Sequence, residues 1–359
     1  MTSNSARRFR VIDTGLRDGR RQIAFDQALI DGHRAGTIPD SIRFLRFPPT
    51  VLVGRHQALS SEIKLSYCRA LGIGIARRIT GGGAIYFDEG QLGWELVFDR
   101  STLSIASLAD LARAICEAAA AGLSRLGVEA RYRPRNDIEV GGRKLSGSGG
   151  FFDGDTLFYQ GTVLIDLNPE RMVAALNVPE AKLAKRALDS AAQRVVTLKE
   201  LLGVAPSMEA VQDALLAGFA ERLGVTPVRG EIGTDEEALA ARYHDEEIGT
   251  EAFVTEIDVP GASADVRCGS QPSAGGTITA YVRLEGRDRQ RLREVLITGD
   301  FFITPPRTIF DLEAALRGVA VDEAGAAIDR FFARAEVGML SVSAADFRAA
   351  VETAIRDAP

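Results

Sequence analysis

The 359-residue chain is poor in the residues from which metal centres and disulfide frameworks are built, with three cysteines and three histidines. Cys68, Cys116 and Cys268 lie far apart and are odd in number, which argues against a disulfide scaffold and fits a reducing compartment. His33, His56 and His244 form no cluster at metal-ligand spacing with one another or with the cysteines, which argues against zinc. No uninterrupted apolar run approaches the ~20 residues of a membrane span. The opening MTSNSARRFRVID carries arginines but no apolar block before a small-residue cleavage site, so no signal peptide is expected. Positive charge is not in excess: 43 Lys+Arg against 49 Asp+Glu give a formal net charge of −6, which argues against general nucleic-acid binding. A cytoplasmic protein with neither membrane nor nucleic acid as partner is expected.

What is present is an ordinary globular composition, 46% hydrophobic and 26% charged. At a prior of ~150 residues per domain the length suggests roughly two domains. Residues 42–47 and 50–54 are short, β-rich and split by Pro48-Pro49. In 92–98, Leu92, Trp94, Leu96 and Phe98 alternate as in a half-buried strand. Helical spacing takes over between Ser107, a predicted N-cap, and Gly127, a predicted stop. A further helical region covers about 170–224, interrupted near Pro179 and Pro206. The stretch VPGASADVRCGSQPSAGG is rich in Gly, Ser and Pro and reads as a connector. Beyond it, TITAYVRLEG and REVLITGDFF read as a hairpin followed by helices. These shifts divide the chain into a first domain at 1–248, a connector at 249–276 and a small second domain at 277–359.

Three segments have the residue types for chemistry. Arg77-Arg78-Ile79-Thr80-Gly81-Gly82-Gly83-Ala84-Ile85 joins two arginines to a glycine run whose backbone N–H groups suit a close anionic ligand. On pattern alone a simple turn or bulge explains it as well, since neither a P-loop nor a dinucleotide fingerprint is matched. In Asn136-Asp137-Ile138-Glu139-Val140-Gly141-Gly142-Arg143-Lys144-Leu145-Ser146-Gly147-Ser148, the Gly pair predicts a hairpin turn that brings Asn136, Asp137 and Lys144 together. A lysine so placed suits an anionic reacting centre, whereas Arg143 reads as a solvated turn charge. Phe158–Ile165 is a strand with Gly161 near its start, a sign of close approach by another backbone or a ligand.

In their order, these segments resemble the lipoate–protein ligase family, part of the group that includes biotin ligases and octanoyltransferases. The resemblance is carried by RRITGGGAIYFDEG, NDIEVGGRKLSGSG, QGTVLID and EAKLAKRALDSAAQRVVTLKELL, with IDTGLRDGRRQIAFDQALI and VLVGRHQ ahead of them. It runs over nearly the first 225 residues; GTITAYVRLEG…ITGDFFITPP…DLEAALRG matches the family's accessory domain more weakly. The resemblance implies an α+β fold with a mixed, largely antiparallel sheet flanked by helices, as in biotin ligases and class II synthetase cores, plus a small C-terminal α+β accessory domain. It also implies two-step chemistry, with lipoate activated by ATP and Mg²⁺ to lipoyl-AMP and the acyl group then passed to an acceptor lysine. The acceptor would be a lipoyl domain, of an E2 subunit, a glycine-cleavage H protein or a stand-alone lipoyl carrier protein.

By the same resemblance Lys144 is the active-site lysine. Arg78, Gly81, Gly82 and Gly83 match the loop along the acyl chain and adenylate, with Ala84 and Ile85 as backbone contacts. Asn136 and Asp137 match the pair near the adenylate, Asp137 orienting Lys144 or helping to hold Mg²⁺; Ser146 flanks the lysine. Gly161 and Thr162 match the strand beside the acyl pocket, and Lys182 is assigned to phosphate. Two positions depart from the pattern: Gln160 stands where relatives carry a histidine before Gly-Thr, and Phe87-Asp88 stands for a His-Asp pair. The rivals are an octanoyl- or lipoyl-transferase working without ATP and a non-catalytic acyl-binding assembly protein. In one branch of the transferases that use a cysteine nucleophile, the cysteine lies shortly before the segment equivalent to NDIEVGG, where this chain reads ARYRPR.

Overall fold

The computed structural model describes residues 7–356 apart from 106, 135, 178–193, 262, 264 and 341. The chain divides into two compact units, one of Met1–Leu52, Ile63–Arg77 and Ile85–Val254, the other of Val53–Glu62, Arg78–Ala84 and Thr255–Pro359. Among the described residues no helix is long and apolar enough to cross a membrane.

In chain order the first strands are β1 (Arg7–Leu16), β2 (Ser41–Arg46), β3 (Thr50–Val53), β4 (Gly74–Arg77), β5 (Ile85–Phe87) and β6 (Gln91–Asp99). They are followed by β7 (Arg131–Arg133), β8 (Asp137–Val140), β9 (Arg143–Asp153), β10 (Thr156–Leu164) and β11 (Val225–Arg229). Eight of them form the main sheet of the first unit in the order β11-β1-β2-β6-β10-β9-β8-β7. β1 runs parallel to β11 and to β2; the remaining neighbours are antiparallel. The expected α+β fold with a mixed, largely antiparallel sheet is therefore present.

One sheet face carries the core of Trp94, Leu96, Phe98, Tyr159 and Val163, closed by helices Leu108–Ser124 and Met208–Leu223. Ser107 caps the first of these by accepting from the Asp110 N–H, as predicted; that helix ends at Ser124, before Gly127. The two helices approach closely because Gly122 and Gly218 lack side chains: a Cβ on either would overlap the other helix's backbone. Of the helical region expected over 170–224, Pro169–Ala175, Leu198–Leu202 and Met208–Leu223 are helical.

β6 corrects the half-buried strand expected from alternation, because all of Gln91–Phe98 is buried. Its second face carries Glu95, whose charge is taken up inside the fold. Arg43 on β2 reaches Glu95 Oε2 at 2.8 Å and, from helix Gly19–Arg34, Asp26 Oδ1 at 2.6 Å through the same Nη1. Its other donors go to the Thr14 hydroxyl and to Gln22. One cation thus faces two buried carboxyls. Burial and then the Glu95 charge push Asp26 well up, and burial also raises Glu95.

The second unit holds β12 (Val266–Ser273), β13 (Gly276–Glu285), β14 (Arg291–Gly299), β15 (Phe302–Thr304) and β16 (Gly338–Leu340). β12-β13-β14 form an antiparallel sheet, β13 and β14 being the predicted hairpin. Helices Thr308–Leu316, Ala324–Arg334 and Ala344–Arg356 close its core over Ile278, Ala280, Val282, Ile297 and Phe347. β12 lies in the stretch read as connector: it is an edge strand paired with β13 over eight positions. Its Gly, Ser and Pro content is tolerated at an edge, and Gly269 lets the helix Ala344–Arg356 lie directly on the strand.

Candidate active site

The ribbon of the first unit forms as its glycines require. Gly141 and Gly142 have φ of +58° and +80°, the conformation of a two-residue hairpin turn, and join β8 to β9. The pairing carries a bulge, since Glu139 faces Lys144 and Ile138 faces Ser146, leaving Leu145 as the extra residue with its side chain fully buried. The main chain of Lys144 is fixed on its other side as well. Its N–H donates to the Arg194 carbonyl at 2.7 Å, and its carbonyl accepts from the Val196 N–H at 2.9 Å.

Within this ribbon Lys144 Nζ lies 2.8 Å from Asp137 Oδ1, and Arg133 Nη2 lies 2.7 Å from Asp137 Oδ2. Burial pushes the Asp137 carboxyl up, but Lys144 and Arg133 outweigh it and hold it below the usual carboxylate range. Gly147 clears the path of the lysine, for a Cβ there would sit 2.6 Å from Lys144 Nζ. Its N–H donates to the Thr162 hydroxyl at 3.4 Å. Asn136, beside Asp137, donates through Nδ2 to the Ser148 carbonyl. Arg133, Ser148 and Tyr159 were not singled out from sequence as site residues; the signal for Arg133 was its spacing four residues before Asp137.

Arg78, Gly81, Gly82, Gly83 and Ala84 belong to the second unit; Ile85 begins β5 of the first. Arg78 is nearly buried and donates through Nη2 to the carbonyls of Gly81 at 3.1 Å and Gly83 at 2.8 Å, so it shapes the loop. The glycines admit other parts of the same chain. A Cβ on Gly81 would overlap the Phe301 carbonyl, and one on Gly82, at φ +90°, would lie 2.6 Å from the Phe302 ring. The Gly82 N–H donates to the Phe301 carbonyl at 3.1 Å. The segment VGRHQ joins the same packing. Arg55 N–H donates to the Thr80 carbonyl at 2.8 Å, and His56 stacks on Phe301 with centroids 5.2 Å apart. Nearby, burial and then the Asp300 charge push Glu62 up to about 7.

On β10, Gly161 pairs with Trp94 of β6 and Ser148 of β9. A Cβ on Gly161 would overlap the Trp94 indole, so this glycine makes room for the core tryptophan. Gly161→Ala is therefore expected to destabilise the first unit by about 1–3 kcal/mol. The emission of Trp94, the sole tryptophan, followed through a urea titration, reads that loss directly. Ser146 is wholly buried and its hydroxyl has no hydrogen-bond partner among the described residues, whereas Thr162 is half-buried. Lys182 lies outside the described residues. Among the described residues no group of three or more His, Cys, Asp or Glu side chains could hold a metal ion.

Two of the three thiols are placed for packing. Cys116 is fully buried in the core on helix Leu108–Ser124, 3.1 Å from the Ser148 hydroxyl and 3.5 Å from that of Tyr159. Burial raises its pKa and that of buried Cys68. Cys268 is exposed on β12 of the second unit.

Comparison with known proteins agrees with the segment order. The profile of the Lipoyl protein ligase A/B catalytic domain matches residues 18–220. The chain is 31% identical over 255 residues to an octanoyltransferase LipM of Symbiobacterium thermophilum, covering 65% of this chain and 92% of that one. Among solved structures it is similar to a bi-partite lipoate protein ligase, described with its E2 lipoyl domain, from Thermoplasma acidophilum. That match has 26% identity and a TM-score of 0.64, over 71% of this chain and 100% of the other. It is likewise similar to a lipoate-protein ligase A bound with ATP, at 27% identity and a TM-score of 0.61, covering 69% of this chain and 98% of that one.

Proposed function

This chain belongs to the family of the lipoyl protein ligase A/B catalytic domain, and from that premise we propose that it is an ATP-dependent lipoate–protein ligase. The family as matched here includes both a ligase and an octanoyltransferase, so the choice rests on this chain's own residues. One observation carries it. The ribbon presents an ammonium, Lys144, held at 2.8 Å by Asp137, while the thiol that touches the ribbon at Ser148, Cys116, is buried and pushed toward its protonated form. An acyl-enzyme needs a thiolate that substrate can reach, whereas adenylation needs fixed positive charge and no side-chain nucleophile.

In the first step a lipoate carboxylate oxygen bonds to the α-phosphorus of ATP and pyrophosphate leaves. In the second the amine of an acceptor lysine bonds to the acyl carbon, AMP leaves, and the amine loses a proton. Lys144 neutralises the charge that develops on the carboxylate and phosphate oxygens, and Asp137 and Arg133 fix its position. Both Asp137 oxygens are in ion pairs with nitrogens, so that carboxylate does not fit a resident Mg²⁺, and no step is routed through a metal there. Asn136 lies beside the adenylate, and Thr162 beside the acyl chain. For the loop of Arg78, Gly81, Gly82 and Gly83, with Ala84 and Ile85, the proposed role is backbone contact with ligand, and for Lys182 contact with phosphate. Gly161 and Ser146 act through the packing of the two strands that carry Thr162 and Lys144. The acceptor is a lipoyl domain, of the kind described with the Thermoplasma ligase.

Pyrophosphate release from ATP and Mg²⁺, measured with lipoate, with octanoate and with neither, followed by mass spectrometry of an added lipoyl domain, tests this. Acid-dependent pyrophosphate and a lipoylated domain are expected. Acyl transfer from an acylated carrier protein without pyrophosphate would make the protein a transferase instead.

A further inference from the structure

Behind the Lys144 ribbon runs a chain of hydroxyl and thiol groups that the chemistry above leaves unused. Ser148 on β9 holds Asn136 twice: its N–H donates to the Asn136 carbonyl at 2.9 Å, and its hydroxyl donates to the same oxygen at 2.8 Å. Asn136 returns a bond from Nδ2 to the Ser148 carbonyl. The next pair along the ribbon is Asp137 with Gly147, the two residues against which Lys144 Nζ rests.

The Ser148 hydroxyl has one proton and two lone pairs. The proton is committed to Asn136, so its other neighbours must donate. They are the Tyr159 hydroxyl at 2.8 Å and the Cys116 thiol at 3.1 Å, and together they fill its acceptor capacity. Tyr159 is fully buried on β10, where burial first and Cys116 second push its phenol well up, so it retains its proton. A ring locked in the core thereby fixes the rotamer of Ser148, and Ser148 fixes the place at which Asn136 and Asp137 enter β8.

We infer that Tyr159 and Ser148 are positioning residues for the Asn136–Asp137–Lys144 constellation, acting through the hydroxyl chain rather than by touching substrate. The inference rests on the ligase reading for its catalytic consequence, but its geometric content is independent of it. Without the Tyr159 hydroxyl, Ser148 is free to turn, the start of β8 loosens, and the Asp137 carboxylate no longer meets Lys144 in one geometry.

Tyr159→Phe, which removes only the hydroxyl, and Ser148→Ala, at a half-buried position, test this together. Two readouts are needed. The first is steady-state pyrophosphate release, in which kcat is expected to fall about tenfold, as the loss of one organising hydrogen bond allows, with KM for ATP and lipoate little changed. The second requires no activity: trace acetylation of the folded protein at several pH values, with the rate at Lys144 read by mass spectrometry against Lys64 and Lys199. Lys144 is expected to react about threefold faster in both variants while the reference lysines hold their rates. Unchanged Lys144 reactivity in both folded variants would overturn the inference, and so would equal acceleration at all three lysines, the mark of general loosening. Absence of pyrophosphate in the parent protein would sink the ligase reading alone and leave the labelling result to decide this one.

Discussion

A Lys144→Ala variant is expected to release pyrophosphate about 10²–10³-fold more slowly than the parent protein, the usual weight of one fixed donor aimed at developing negative charge. The fold should survive. The Lys144 side chain is 37% exposed, so truncation leaves no core cavity, and Asp137 retains Arg133 at 2.7 Å. The two halves of the expectation are separable: a circular dichroism spectrum and melting curve report the fold, and a coupled pyrophosphate assay reports the chemistry. Lys144→Arg is expected to fail as well. The space beside Gly147 is cut for a slim ammonium, and a planar guanidinium carries its charge on a broader fork. Full activity in Lys144→Ala would remove this lysine from the reaction.

Arg43→Met should have the second large effect, on stability rather than turnover. Deleting the cation that bridges Asp26 and Glu95 leaves two carboxyls in a site from which water is excluded, and breaking such a pair costs about 3–5 kcal/mol. Asp26→Asn should behave in the opposite sense. Because its carboxyl is raised in the fold, the native state holds a proton that the unfolded chain gives up. That contribution to stability is fully present below the ordinary carboxylate range and declines as pH rises from there toward the raised value. An asparagine carries no such proton, so the pH dependence of unfolding, followed by Trp94 emission, should flatten in the upward direction from the acid range. A variant that keeps the parent's slope would mean that the proton resides on Glu95 instead.

The ribbon was largely legible in the sequence because its cause is local. Two adjacent glycines dictate the turn, and the turn alone brings Asp137 and Lys144 to the same end of two paired strands. The hairpin of β13 and β14 was legible for the same reason, clean alternation in TITAYVRLEG leading into a charged turn. What was not legible depends on partners remote in sequence. Glu95 looked like the solvent face of a half-buried strand until Arg43 and Asp26 supplied its company. Gly81 and Gly82 suggested an approaching ligand, but a glycine reports only that something comes close, and in this fold the carbonyl of Phe301 and the ring of Phe302 do so. Gly161 invited the same inference and is matched to Trp94. Val266–Ser273 has a single β-branched residue, Val266, too little to announce a strand, since an edge strand under a helix needs little more than a backbone.

The membership of Val53–Glu62 and Arg78–Ala84 in the second unit means that no single cut in the gene separates the two units. A fragment ending near residue 254 would contain the whole glycine run yet lack Phe301 and Phe302, against which that run is shaped. During synthesis the same interleaving imposes a wait: the run leaves the ribosome early, but its native neighbours follow only in the last part of the chain. Closing so long a span belongs to the slow end of folding, set by sequence separation rather than by contact strength. The main sheet is spread along the chain in the same way, since its edge strand β11 follows all the other strands of that sheet in sequence.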